Sequence, residues 1–92
     1  MNMNIMKYAR NRAVITGSLY WHKIREELDK QNVQYMNRAD YFHMVHNNPE
    51  IQRLYGEYVT YCNILELMDE DRPELREYAQ EDMEYINKVV QD

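Results

Sequence analysis

Ninety-two residues with a formal net charge of −5 and an apolar fraction of 45% give enough chain for one domain, residues 1–92, with a modest core. The single cysteine, Cys62, excludes an intramolecular disulfide and paired-cysteine zinc motifs, and the setting expected is the reducing cytoplasm. Two glycines and two prolines leave little for tight hairpins. The longest apolar run near the N-terminus, Ala13-Val14-Ile15, falls far below the ~18 residues of a membrane span, so no membrane partner is expected.

In chain order, "NRAVIT" at residues 11 to 16 is ambiguous between a helix end and a short strand. A helix is expected to start at Ser18 and run to about residue 31, with Tyr20, Ile24 and Leu28 on one face and Trp21 beside it. Asn37 caps a short helix through "RADYFHMVH", which ends before Asn47-Asn48-Pro49. The clearest signal follows. Asn48 accepts from free backbone N–H groups, Pro49 fits the first helical position, and Glu50 suits the positive end of the dipole.

Helix 49–69 places Ile51, Leu54, Tyr55, Tyr58, Tyr61, Cys62 and Leu65 within about 120° of arc, a core-facing stripe. Asp71 and Glu74 have capping-box spacing, and Pro73 marks the start of a second long helix, from about 73 to 90. Its apolar arc is Leu75, Tyr78, Ala79, Met83, Ile86, Val89 and Val90, interrupted by Asp82. The short link makes these two helices antiparallel neighbours. The fold expected is therefore all-α, a small domain of three or four helices built on a C-terminal αα-hairpin, with a possible minor β element near residues 11–16.

Charge is distributed unevenly. Residues 1–49 hold seven Lys/Arg against four acids, and residues 50–92 hold four against twelve. At 100° per residue, Glu74, Glu77, Glu81 and Glu84 share an arc of about 80°, and Glu66, Asp69, Glu70 and Asp71 add carboxylates at the preceding turn. Like charges at i,i+3 and i,i+4 each destabilise a helix by a few tenths of a kcal/mol, so a sequence under no other demand dilutes them with lysines. The bland reading is a solvated face that keeps the chain soluble. The sharper one is a surface for a basic partner, because a negative field repels nucleic acid and steers cationic proteins.

No catalytic pattern appears. Cys62 sits on the apolar stripe as a small buried thiol. His43, His46 and Glu50 have ligand-like spacing, but Asn47-Asn48-Pro49 breaks the helix that would align them, so neither a metal nor a cofactor is expected. Nine tyrosines, including Tyr20, Tyr35, Tyr41, Tyr55, Tyr58 and Tyr61, suit helix packing and subunit contacts.

Size, acidity, the Tyr/Met/Asn-rich composition and the carboxylates from Glu66 to Glu84 together resemble the anti-restriction nuclease (Arn) proteins of T-even phages. That resemblance implies a non-enzymatic, cytoplasmic, homo-oligomeric DNA mimic. It would occupy the DNA-binding surface of a host restriction endonuclease or of a histone-like nucleoid protein, binding no nucleic acid itself. The residues offered for this role are Glu66, Asp69, Glu70, Asp71, Glu74, Glu77, Glu81 and Glu84. Locally, "PELREYAQEDM" at residues 73–83 is similar to the helical N-terminal domain of peptide-chain release factors, without their Gly-Gly-Gln tripeptide. The alternative to mimicry is an oligomeric helical adaptor whose apolar and tyrosine surfaces bind while the acids only solubilise.

Overall fold

The computed structural model describes residues 3–92, which form four helices: α1 (Met3–Gln31), α2 (Arg38–His46), α3 (Pro49–Leu67) and α4 (Arg76–Val89). Its 29 residues give α1 a length of about 43 Å, close to the 48 Å long axis of the molecule. The other helices assemble on this spine. Toward its N-terminal end, α1 packs Ala9 and Ala13 against Cys62 and Leu65 of α3, the small side chains admitting a close approach. Toward its C-terminal end, Ile24 and Leu28 meet Val45, Ile51, Ile86 and Val89, so all four helices share that second core.

Local chemistry sets most of the boundaries. The Asn37 side chain accepts from the Asp40 N–H at 2.8 Å, and the Asn48 side chain from the Ile51 N–H at 3.0 Å, which starts α2 and α3 where the caps predict. α3 stops two residues earlier than expected, at Leu67, because the chain turns through Asp69 at φ 56°. A parallel bridge pairs Met36 with Val90: the Met36 N–H donates to Val89 and the Gln91 N–H donates to Met36, both at 2.9 Å. Two backbone hydrogen bonds thus tie the end of α4 to the α1–α2 link.

Three expectations change. Residues 11–16 are not a β element: they lie inside α1, and no strand forms among the described residues. Ser18 is likewise a helix interior, not a start, since α1 runs unbroken through Gly17. The reason is packing. A Cβ at Gly17 would lie 2.6 Å from Leu75 Cδ1 and 2.9 Å from the Tyr58 ring, so glycine is what lets α1 touch α3 and the approach to α4 at once. Finally, α4 begins at Arg76 instead of 73, and its backbone departs from helical geometry at Ala79 (φ −129°, ψ 19°). The chain does reverse between α3 and α4, but each of them packs mainly on α1.

Candidate acidic docking face

α4 buries Ala79, Ile86 and Val89, and Leu75 just before it is buried too; this attachment decides which carboxylates face out. Glu74, Glu77, Glu81 and Glu84 are all exposed. Glu77 and Glu81 have no ion-pair or hydrogen-bond partner among the described residues. Glu84 accepts from the Gln80 amide at 3.0 Å, which leaves its charge uncancelled. Glu74 precedes the helix, where one of its oxygens accepts from the Arg76 N–H at 3.1 Å. The capping box expected of Asp71 and Glu74 does not form: Leu75 stands at the N-cap with no side-chain bond, and Asp71 is exposed.

At the turn the acids divide. Glu66 is engaged by Arg72 at 2.9 Å and Glu70 by Arg10 at 3.1 Å, so both lose most of their field to an internal cation. Asp69 and Asp71 stay exposed and have no ion-pair partner among the described residues. Exposed pairs of this kind contribute only ~0–1 kcal/mol, yet they fix where charge cancels. Among the described residues, eight of the sixteen carboxylates take part in ion pairs. Six of the other eight, Asp69, Asp71, Glu74, Glu77, Glu81 and Glu84, fall within residues 69–84, leaving Asp29 and Asp40 elsewhere.

The cations explain this asymmetry. Arg10, Arg12, Lys23, Arg25, Lys30, Arg38, Arg53 and Arg72 are each committed to an acid of the same chain. Arg53 is gripped by both Glu50 and Glu57, which raises its pKa, and the Glu50 carboxyl is held below its usual range by the same guanidinium. Only Lys7, Arg76 and Lys88 among the described Lys/Arg carry no ion pair. The basic first half therefore offers little free positive charge to offset the acidic second half.

Asp82, which interrupts the apolar arc, is resolved by two partners on α1: Arg25 Nη1 at 3.3 Å and His22 Nδ1 at 3.6 Å. Arg25 also lies over the Tyr85 ring, 4.9 Å from its centroid. Beside this cluster a polar depression of about 700 Å³ opens, edged by Glu77, Glu81 and Glu84. Sequence reasoning did not anticipate the Arg25–Asp82 contact, because 57 positions separate the two and nothing local pairs them. Two tyrosines also differ from expectation. Tyr55 and Tyr78, assigned to buried stripes, are 48% and 56% exposed.

His46 Nδ1 lies 2.9 Å from the Phe42 carbonyl, and Glu50 belongs to Arg53. Among the described residues no group of three or more His, Cys, Asp or Glu is placed to hold a metal ion, and no helix is long and apolar enough to cross a membrane. No family model, curated protein or solved structure matches this chain, which leaves the charge geometry as the ground for a functional reading.

Proposed function

We propose that the protein is a non-enzymatic inhibitor whose acidic face occupies the DNA-binding surface of a basic host protein, a restriction endonuclease or a nucleoid protein being the type of target. The observation that carries this reading is the run of six unpaired carboxylates between Asp69 and Glu84, in a chain whose cations are mostly spent on internal pairs. Duplex DNA carries one charge per ~1.7 Å, or about twelve over the ~21 Å of α4. The three unpaired carboxylates on α4 itself, Glu77, Glu81 and Glu84, supply about a quarter of that density, and Asp69, Asp71 and Glu74 extend the charge ahead of the helix.

Self-association would narrow the gap, and α1 carries a face suited to it. Ile5, Tyr8, Ile15 and Leu19 are all exposed, by 44–59%, and their spacing puts them within about 80° of arc. Arg12 completes the heptad-like rhythm. A second copy seated on this stripe would add its own acidic face to the assembly. The same stripe, taken alone, favours the adaptor as second reading.

The two readings separate on charge. The Glu77→Gln/Glu81→Gln/Glu84→Gln variant should lose at least tenfold in its ability to displace duplex DNA from such a target, with a flatter salt dependence. An adaptor would keep both properties unchanged.

A further inference from the structure

We propose that the open cleft between α1, α3 and the link before α4 is a binding site for a guanidinium group, namely an arginine side chain presented by a basic protein partner. Its volume is about 330 Å³, and it is walled by Tyr20, Trp21, Tyr55 and Tyr58, with Glu74 and Met83 at its α4 side. That volume sits at the small end of the ~300–1,000 Å³ of ligand pockets, the scale of one side chain. The floor exists because residue 17 is glycine, which lets Leu75 and Tyr58 converge beneath it.

Chemistry selects the occupant. Four aromatic rings present π faces and edges in different orientations, Tyr20 standing 5.3 Å from Trp21 at 77° and 5.5 Å from Tyr55 at 44°. Such walls attract a cation held within ~6 Å of a ring centroid. Glu74 adds a full negative charge, and no lysine, arginine or histidine lines the cavity. The neighbouring cavity of about 380 Å³ shares Tyr20 and Trp21 but is lined by Arg38 and by no carboxylate, so it lacks the anion that would hold a cation. Arginine fits better than lysine because its planar, weakly hydrated head stacks on aromatic faces and can still bond a carboxylate. Glu74 also belongs to the acidic face, so the cavity would give that face one shaped anchor among otherwise non-directional charges. The identity of the partner rests on the proposed docking role; the affinity of the cavity for a guanidinium does not.

Trp21 is the only tryptophan in the chain and lines the cavity, so its fluorescence reports occupancy. The probe is Nα-acetyl-arginine amide, titrated at constant ionic strength against its neutral isostere Nα-acetyl-citrulline amide. The arginine probe should give a saturable change and the citrulline probe none. Tyr55→Ala should weaken binding about five- to tenfold, Tyr55→Phe should hold it within about twofold because the ring remains, and Glu74→Gln should weaken it about threefold. Tyr55 is half exposed, so its truncation leaves the core intact, which the far-ultraviolet circular dichroism of each variant checks. The Glu77→Gln/Glu81→Gln/Glu84→Gln variant should bind the probe normally. Equal responses to both probes, a response that follows Phe42→Ala in the neighbouring cavity instead of Tyr55→Ala, or no saturable response at all would overturn the assignment. None of these results would by itself touch the salt-dependent competition with DNA, so failure of the cavity and failure of the docking role are distinguishable.

Discussion

The two glycines make opposite predictions. Replacing a helical glycine by alanine removes backbone freedom from the unfolded chain and gains ~1 kcal/mol when nothing obstructs the new methyl. Gly56 meets that condition, since a Cβ there has no neighbour within 4 Å. At Gly17 the methyl would stand 2.6 Å from Leu75 Cδ1, 2.9 Å from Tyr58 Cδ1 and 3.0 Å from Tyr58 Cε1. The Leu75 methyl has some freedom to turn away, but the Tyr58 ring also packs against the core of Ala9, Ala13, Cys62 and Leu65, which limits its retreat. Overpacking of this kind costs ~1–3 kcal/mol, which outweighs the gain in propensity and leaves Gly17→Ala less stable by ~1–2 kcal/mol. For a chain of this size 1 kcal/mol corresponds to ~4–8 °C in Tm. Thermal melts followed at 222 nm should therefore rise by ~4–8 °C for Gly56→Ala and fall by ~5–12 °C for Gly17→Ala. A Gly17→Ala protein as stable as the parent would refute the claim that α1, α3 and the entry to α4 meet at this point.

Other outcomes follow from single contacts. Asn48→Ala removes the acceptor for the Ile51 N–H and should cost about 1 kcal/mol in chemical denaturation. Burial pushes the Tyr41 and Tyr58 hydroxyls up to about 12, so the unfolded chain ionises first, near pH 10; stability should hold below that pH and fall between pH 10 and 12. Tyr41→Phe should blunt that alkaline loss, as read from denaturation midpoints across the range. Ile15→Lys/Leu19→Lys should shift sedimentation equilibrium to the single chain while leaving the circular dichroism spectrum unchanged, because both side chains are exposed; unchanged mass would remove α1 as the self-association surface.

How far the sequence could be read depended on how local the cause was. The caps at Asn37 and Asn48-Pro49 act within three residues, and α2 and α3 begin where they point. α1 was only half legible because its buried face includes Ala9, Ala13, Thr16 and Gly17, residues too small or too polar to register as an apolar stripe. Gly17-Ser18 looks like a boundary until the Tyr58 ring is placed on it. Thr16 carries no signal either, yet it is fully enclosed, with its hydroxyl donating to the Arg12 carbonyl at 2.7 Å. Exposure of the acidic stripe was legible, since it needs only the position of the apolar arc. Arg72 stands only six residues from Glu66, a local neighbour, but the pairing of Glu70 was not legible, because Arg10 approaches from 60 residues away. Helical angle alone places Tyr55 inward, yet it rests on Tyr20 at the open edge between α1 and α3.

Glu77, Glu81 and Glu84 of α4 present negative charge that pairs with no cation among the described residues. The most direct measurement of its role is the salt dependence of competition with duplex DNA for a basic DNA-binding target, comparing the parent with the Glu77→Gln/Glu81→Gln/Glu84→Gln variant. Potency of the parent should fall steeply with ionic strength, and the variant should be at least tenfold weaker with a visibly shallower slope. Parallel slopes with equal potency would contradict that role and leave the carboxylates as solvated surface.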